Sequence, residues 1–278
     1  MMKFTTEVNA KKETGLSYLG NINSSAKMLK NKKVSKQYTY ILYLSPANTS
    51  GYNVCSHSTP ECRKGCLSES GRSGMEVTAG KSIIHDARIK KTKLFFEEQE
   101  YFMAWMIAEM KRFQAKAKKD GYYFSARLNG TSDIDWAKVL YNGKNIFEIF
   151  PDVQFYDYTK NPARFYHKPE NYHLTLSYTG RNWNVCEVIL QAGFNVAMVF
   201  NVKKETELPV LYKGIPVING DLTDYRISDA NGIIVGLKFK HIANKEAEKE
   251  IRKSVFVIQP DDSECTYVNV PDKERIVA

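Results

Sequence analysis

The stretch that decides the fold is YTYILYLSPANTSGYNVCSHSTPECRKGC, residues 38–66. Its first part, YTYILYLS (38–45), is an unbroken run of aromatic, aliphatic and β-branched side chains, as in a strand that is buried on both faces. The rest, from Pro46 onward, is rich in Ser, Pro and Asn, which favour turns over regular structure. The sequence therefore predicts a buried first strand followed directly by a long loop that carries three cysteines.

Six further strands are predicted after this loop, separated by helical or irregular segments. They are YYFSARLNG (122–130), VQFYDYTK (153–160), YHLTLSYTG (172–180), FNVAMVFNV (194–202), IPVING (215–220) and GIIVGLKFK (232–240). Helices are predicted over about 76–118, as one long helix or two consecutive ones, from Asp133 to Ile149, and at WNVCEVILQAG (183–193). Residues 203–213 are expected to form a loop, and SVFVIQP (254–260) is expected to add an edge strand.

Near-continuous apolar strands that alternate with helices indicate a mostly parallel sheet covered on both faces, which is an α/β fold. Several of the crossovers are short, so a complete eight-fold barrel is not expected. We predict a partial or irregular (β/α) barrel with the cysteine-bearing loop after its first strand.

The basic charge is concentrated near the N-terminus. The 278 residues contain 40 Lys and Arg against 31 Asp and Glu, a formal net charge of +9. Eight of the lysines fall within residues 1–37, against only Glu7 and Glu13. We therefore expect a basic N-terminal arm, residues 1–37, and a single α/β barrel-like domain, residues 38–278. Such an arm either docks on the phosphates of a nucleic acid or is a solvated surface.

Membrane insertion and secretion are not expected. No run approaches the roughly 18 consecutive apolar residues that a spanning helix needs, and the first residues, MMKFTTEVNAKKETG, include no apolar run of the kind found in signal peptides. The expected location is cytoplasmic. Five cysteines cannot all pair in disulfides, and clustered thiols in a reducing compartment more often mark a metal site than a disulfide.

The three clustered thiols have the spacing Cys55-x6-Cys62-x3-Cys66. Three thiolates from one loop suit either an iron-sulfur cluster with one iron left open or a zinc ion completed by a histidine. His57 inside the loop and His85 beyond it are the candidate fourth ligands for zinc.

Polar residues follow nearly every predicted strand, at the end where the chemistry of barrels and open α/β sheets collects. Each has a local explanation, for example Asp133 as a helix cap or residues 219–221 as a turn. Together they predict a shared pocket. The candidate catalytic residues are Asp133, Asp157 and Lys160, and the candidate cofactor-binding residues are Asn129, Gly130, Ser177, Asn201 and Asp221.

A three-cysteine loop directly after the first strand of a partial barrel resembles the radical S-adenosylmethionine superfamily. That resemblance implies an iron-sulfur cluster on the three cysteines, with S-adenosylmethionine bound at its open iron and the turn at Gly130 near the amino group of that cofactor. The gaps between the cysteines are longer here than in the signature of that superfamily, so the resemblance rests on position and number.

A closer resemblance extends over about residues 40–240 and most of the chain. The segments CSHSTPECRKGCL (55–67), ARIKKTKLFF (87–96), RLNGTSDIDW (127–136), FPDVQFYDYTK (150–160) and INGDLTDYRISDANGIIVGLKFK (218–240) are together similar to the phage and mobile-element "gene 88 protein" family. This resemblance implies a bacteriophage or plasmid origin and a cysteine-bearing loop of this spacing. It does not imply a particular reaction.

Three functions are compatible with these features. The leading hypothesis is a metallo-enzyme of the radical S-adenosylmethionine type that modifies a nucleotide or nucleic-acid base. The second is a zinc-containing barrel enzyme in which Asp133 or Asp157 acts as nucleophile or base in base exchange or glycosidic chemistry on a nucleic acid. The third is a nucleic-acid-binding protein without catalysis, in which the metal site only stabilises the fold.

Overall fold

The computed structural model describes residues 2–22, 26–66, 80, 82–203 and 207–267. In this part of the chain the helices are α1 (Glu7–Thr14), α2 (Ala26–Ser35), α3 (Pro60–Lys64), α4 (Ile83–Glu97), α5 (Gln99–Asp120), α6 (Ile146–Ile149), α7 (Trp183–Gln191) and α8 (Lys245–Arg252). The strands are β1 (Gly20–Asn21), β2 (Gln37–Leu42), β3 (Tyr123–Arg127), β4 (Leu140–Tyr141), β5 (Lys144–Asn145), β6 (Gln154–Thr159), β7 (Tyr172–Ser177), β8 (Asn195–Phe200), β9 (Leu211–Tyr212), β10 (Ile215–Asn219), β11 (Ile234–Lys238), β12 (Val257–Ile258) and β13 (Cys265–Thr266).

A large, mostly parallel sheet organises the described residues into a mixed α/β fold. Its order is β1-β2-β3-β6-β7-β8-β11-β10-β9-β13, with β12 also paired to β8. The five strands β2, β3, β6, β7 and β8 are parallel and lie side by side in chain order. The last two parallel strands are reversed, because β11 lies between β8 and β10. All seven predicted strands are therefore confirmed. In the described part, the two ends of the sheet, β1 and β13, do not pair with each other.

Helices cover the apolar face of the sheet. Tyr40 of β2 packs against Phe113 of α5, and Phe155 of β6 packs against Phe147 of α6. The Met and aromatic stripe predicted for the long helical segment is buried as core: Phe95, Phe102, Trp105, Met106 and Phe113. This segment forms two consecutive helices, α4 and α5, while its predicted start at 76–79 lies outside the described residues. None of the helices in the described part is both long and apolar enough to cross a bilayer.

The opposite face of the sheet is polar, and it is covered by α2 and by the segment that joins β10 to β11. Asn31 of α2 donates to the Tyr156 hydroxyl at 3.0 Å. From the joining segment, Asp224 accepts a short hydrogen bond from Arg127 of β3, and the ring of Tyr225 packs edge-on against Tyr156. Polar side chains on this face are thus buried and hydrogen-bonded, as burial of polar groups requires.

The N-terminal segment is in contact with the sheet and with α5. α1 packs on α5, with Glu7 accepting from Arg112 at 2.8 Å, and β1 extends the sheet antiparallel to β2. The carboxylate of Glu109 accepts the backbone N–H groups of Leu19 and Gly20 at 2.9 Å each. Apolar residues of this segment, Ala10, Leu16, Leu19 and Ile22, are buried in the core.

Two further expectations differ from the structure. The helix predicted from Asp133 to Ile149 is replaced by a short 3-10 turn, the hairpin β4–β5 and the single turn α6. The physical reason is Asn142-Gly143, which adopts positive φ at both positions and so forms the tight turn that Asn-Gly favours. The edge strand predicted at 254–260 is present but short: it is confined to the two residues of β12, whose described pairing is with Val199 and Phe200 of β8 alone.

Candidate functional site

The cysteine loop follows β2 and is shaped by the short helix α3. Thr59 caps this helix by accepting from the backbone N–H of Cys62 at 3.2 Å, and Pro60 occupies its first turn, where proline costs no hydrogen bond. Cys62 therefore lies on α3, and Cys66 follows the helix directly after its C-cap Gly65, where its backbone N–H donates to the Arg63 carbonyl at 3.4 Å. Cys55, Cys62 and Cys66 are all free thiols of intermediate exposure.

The three thiols share one electrostatic environment. Burial raises the pKa of Cys55 to about 11. The charges of Cys66, Cys62 and Asp133 raise that pKa further, whereas a hydrogen bond from the backbone of Ala47 opposes the rise. The pKa of Cys55 is thus affected by the charges of both other thiols and of Asp133. The structure therefore places these four predicted site residues close enough for their charges to interact.

Lys160 joins this group from the end of β6. Its backbone N–H donates to Asp133 Oδ2 at 2.8 Å, and its ammonium group donates a hydrogen bond to Cys62. Burial lowers the pKa of Lys160, but the charge and hydrogen bond of Cys62, together with the charges of Asp133 and Cys66, outweigh burial and raise it. Lys160 is therefore a half-buried cation placed to balance negative charge on the sulfurs.

A chain of buried hydrogen bonds connects Asp133 to Asp157. Asp133 Oδ1 accepts from Arg164, and Arg164 also donates to the Tyr172 hydroxyl at 2.6 Å. That hydroxyl in turn donates to Asp157 Oδ2 at 3.0 Å, and Asp157 Oδ1 accepts the backbone N–H of Asn129 at 2.9 Å. All four carboxylate oxygens are thus engaged in positioning neighbouring groups.

The two carboxylates differ in exposure. The side chain of Asp157 is 1% exposed and that of Asp133 is 12% exposed. Burial raises the pKa of Asp157 to about 6, against the opposing charge of Arg127 and the Asn129 hydrogen bond. Asp133, at the surface of the cysteine group, is therefore the carboxylate closer to the thiols, and Asp157 supports it from the interior.

The turn after β3 forms the floor of the site. The Asn129 side-chain oxygen accepts from the Ser132 hydroxyl at 2.8 Å, from the Ile134 backbone N–H at 2.9 Å and from the Trp136 ring N–H at 3.2 Å. Gly130 donates to the Leu42 carbonyl at 3.0 Å, and a Cβ at Gly130 would lie 2.6 Å from that oxygen. The contacts of Asn129 and Gly130 thus hold the end of β3 close against β2.

Three predicted cofactor-binding residues share no described contact with the cysteine group. The carbonyl of Ser177, at the end of β7, accepts from the Asn182 amide at 3.4 Å. Asn201 is engaged by Gln259 and Arg252, which hold α8 and β12 against β8. Asp221 accepts the backbone N–H of Lys238 at 2.9 Å and ties β10 to β11.

The fit of a metal to the thiols was tested on the described side chains. No three His, Cys, Asp or Glu residues among them are arranged as a ligand group, and the exposed His57 instead bonds the Ser56 hydroxyl at 2.9 Å. The thiols are nevertheless close enough for their charges to interact, and three sulfurs are a donor set that suits zinc or an iron-sulfur cluster. Binding at Cys62 would require the Lys160 ammonium group to leave that sulfur.

Sequence reasoning missed Arg164 and Tyr172, which link the two carboxylates. A usable signal for Arg164 was its place just after Asn161-Pro162, where a capped turn begins and fixes the direction of the following side chains. Tyr172 gave no such signal, because it opens a strand whose aromatic residues all resemble core.

Comparison with known proteins is consistent with this architecture. The family described as Gene product 88 matches residues 8–259, which include the three cysteines, Asp133 and Lys160. No curated protein and no solved structure matches the chain. Because the match covers most of the sequence, the chain belongs to the Gene product 88 family.

Proposed function

We propose that this protein is a metallo-enzyme of the radical S-adenosylmethionine type, in which Cys55, Cys62 and Cys66 hold an iron-sulfur cluster. Its substrate would be a nucleotide or nucleic-acid base, in the cytoplasm of an infected or plasmid-bearing host. The observation that carries the proposal is the convergence of three thiols with Lys160 and Asp133 at the carboxyl ends of parallel strands.

The strand order supports the proposal. The five parallel strands β2, β3, β6, β7 and β8 lie side by side in chain order, as in part of a (β/α) barrel, and we propose that finer architecture for them. The cysteine loop follows the first of these strands, β2.

Each residue of the site has a proposed task. When bound, the cluster would supply an electron for cleavage of the S-adenosylmethionine sulfonium. Lys160 would balance the charge of the sulfurs, and Asp133 would fix Lys160 through its backbone N–H. Arg164 and Tyr172 would hold Asp133 in place, since a buried, hydrogen-bonded network keeps its members in one geometry.

One observation favours a second candidate, the zinc enzyme. Burial raises the pKa of Asp157 to about 6, which is close to the value that general acid–base catalysis needs at neutral pH. Against this candidate, both oxygens of Asp157 are occupied by Asn129 and Tyr172. The iron-sulfur proposal remains the better supported because it needs no exposed carboxylate.

Anaerobic purification followed by iron, sulfide and zinc analysis tests the proposal. We expect about four irons per chain and absorption near roughly 400 nm, both lost in Cys62→Ser and retained in the matched control Cys265→Ser, whose thiol lies on β13. Colourless protein with one zinc would support the second candidate. Protein that binds neither metal would contradict both.

The non-catalytic hypothesis is tested separately. Lys160→Met and Asp133→Asn are expected to keep the metal but to lose reductive cleavage of S-adenosylmethionine, measured with dithionite as the electron donor as release of methionine and 5′-deoxyadenosine. If cleavage by both variants equals that of the wild type while Cys62→Ser only lowers the thermal midpoint, the metal site stabilises the fold and does no chemistry.

A further inference from the structure

A row of lysines follows one side of α8, next to the cysteine loop. Lys245, Lys249 and Lys253 recur every four residues, so they lie on one side of the helix, about 6 Å apart along its axis. All three are exposed. We call them the lysine stripe. In the described part of the chain no salt bridge is formed by any of the three, whereas Arg252 of the same helix is paired with Glu248.

The lysine stripe is anchored to the cysteine loop. Glu250 of α8 pairs with Lys64 of α3 at 2.6 Å, and Gly65 is so close to the Ile251 side chain that a Cβ there would lie at 3.2 Å from it. Because Cys62 lies on α3, the stripe lies about one helix diameter, roughly 10 Å, from the proposed metal site. A polymer bound along the stripe would therefore pass the cysteine group.

Two open grooves of about 340 Å³ each flank the stripe. The first is lined by His241, Lys245, Glu248, Lys249 and Arg252. The second is lined in part by Tyr178, Tyr212, Lys253, Ser254 and Asp262, which combine aromatic rings, a hydroxyl, a carboxylate and a cation. A groove of this volume is in the range that accepts a small ligand, and its chemistry suits a nucleotide base with its phosphate.

Helix stability alone does not account for the stripe. Lysines near the C-terminus of a helix interact favourably with the helix dipole, which accounts for Lys249 and Lys253. Lys245 lies at the first residue of α8, where a positive charge is unfavourable. A negatively charged ligand would stabilise all three charges.

We propose that the lysine stripe and the second groove bind a single-stranded nucleic acid, with its phosphates on the lysines and a base in the groove. The proposal deepens the proposed function by naming a polynucleotide as the substrate. Only the role of the bound strand as a substrate rests on the proposed function; the binding itself does not require the metal site. A bilayer is the weaker alternative, because the apolar residue of α8, Ile251, is buried against the domain.

The test is the salt dependence of binding to fluorescein-labelled oligothymidylate and oligouridylate of about 20 nucleotides, measured by anisotropy with a chelator present. The variant Lys245→Gln/Lys249→Gln/Lys253→Gln should bind at least about tenfold more weakly at low salt. Its slope of log affinity against log salt should fall by about 2 in magnitude, since each single-strand phosphate contact contributes about 0.7. The two oligomers distinguish DNA from RNA as the source of the phosphates.

The matched control removes the same charge from exposed positions of α5, as Lys111→Gln/Lys118→Gln/Lys119→Gln, and should bind like the wild type. A further variant, Tyr178→Leu, should weaken binding without changing the salt slope, because it alters the groove and not the phosphate contacts. Equal losses in the control, an unchanged slope in the stripe variant, or preference for phosphatidylserine vesicles over both oligomers would overturn the proposal.

The outcome separates this inference from the proposed function. Binding that persists in Cys62→Ser and in protein without metal supports the stripe even if the metal proposal fails. If the metal-loaded protein is active but the stripe variant binds the oligonucleotides as tightly as the wild type does, the inference is overturned and the metal proposal stands.

Discussion

Two clusters of side chains along the parallel sheet contain similar residue types in opposite surroundings. At the amino edge Tyr38 stacks on Tyr122 with ring centroids 4.7 Å apart, and the Lys32 ammonium group lies 5.0 Å above the Tyr38 ring. Asp120 accepts from both the Tyr38 hydroxyl and Lys116 at 2.7 Å. In this cluster an exposed ion pair lies beside two stacked tyrosine rings, and half of the Lys116 side chain is exposed to solvent.

The second cluster combines a tyrosine, an aspartate and a cation in the same way but buries them. Tyr172, the first residue of β7, donates to Asp157 and accepts from Arg164, and the side chain of Arg164 is 2% exposed. At the amino edge hydrogen bonds from Lys116 and Tyr38 lower the pKa of Asp120, whereas in the second cluster burial raises the pKa of Asp157. Burial therefore decides what these residue types can do, because water screens exposed charges.

The largest expected contrast is between Arg164→Met and Lys116→Met. Removing the Arg164 guanidinium leaves Asp133 and the Tyr172 hydroxyl without their buried partner, so unfolding should become easier by about 3–5 kcal/mol. Lys116→Met should leave the free energy of unfolding nearly unchanged, because its pair is exposed. Urea denaturation of both variants measures the difference. Similar losses in the two variants would show that burial does not explain the difference between the two clusters.

A pH series on His173 of β7 tests whether burial or position along the strand shifts the pKa of a titratable group. Burial, with the charges of Lys168 and Arg226, lowers the pKa of His173 to about 4. The unfolded chain would protonate this histidine near pH 6.5 and the folded chain only near pH 4. Its contribution to stability is therefore present above pH 6.5 and is lost as the pH falls toward 4, by at most about 3 kcal/mol.

The measurement compares unfolding free energies between pH 7 and pH 4.5 for wild type and His173→Asn. The variant should lose less stability on acidification than the wild type. His173 lies near the amino end of its strand, so a result in which it titrates like an exposed histidine would favour position over burial.

The smallest contrast concerns two glycines. Gly130→Ala at the carboxyl edge forces a Cβ against the Leu42 carbonyl and the Tyr43 ring, which should cost about 1–3 kcal/mol by overpacking. Gly121→Ala after α5 meets no neighbour but keeps a left-handed φ of 72°, at a cost of about 1 kcal/mol. The thermal midpoint should therefore fall further in Gly130→Ala than in Gly121→Ala. The reverse order would contradict the close approach of β3 to β2.

The fold was largely predictable because its strands are apolar runs with clear ends. The residue pattern alone predicted the buried stripe of α4 and α5 and seven strands, which are β2, β3, β6, β7, β8, β10 and β11. It did not predict the packing of the N-terminal segment, because the buried residues Leu16, Leu19 and Ile22 are separated by polar ones and are buried only where Glu109 holds the chain. The helix α8, with its Asn244 cap, was missed because its pattern is almost entirely charged.

The site was predictable to the level of residue types at strand ends. Cys55, Cys62, Cys66, Asp133 and Lys160 were proposed from position, and the structure brings them together. Asn201 and Asp221 were proposed on the same grounds but hold neighbouring strands and α8. Position at the end of a strand thus selects candidates, and it does not say which of them point to a common centre.

The sequence by itself determined the parallel strands, the loop with three thiols and the polar residues at the strand ends, because each depends on local pattern. Tertiary structure alone decided that the Lys160 ammonium group meets Cys62, that Arg164 and Tyr172 join the two carboxylates, and that the N-terminal segment packs on the domain. These depend on which strands lie side by side and which groups lose their water. Neither property is encoded at any one position of the chain.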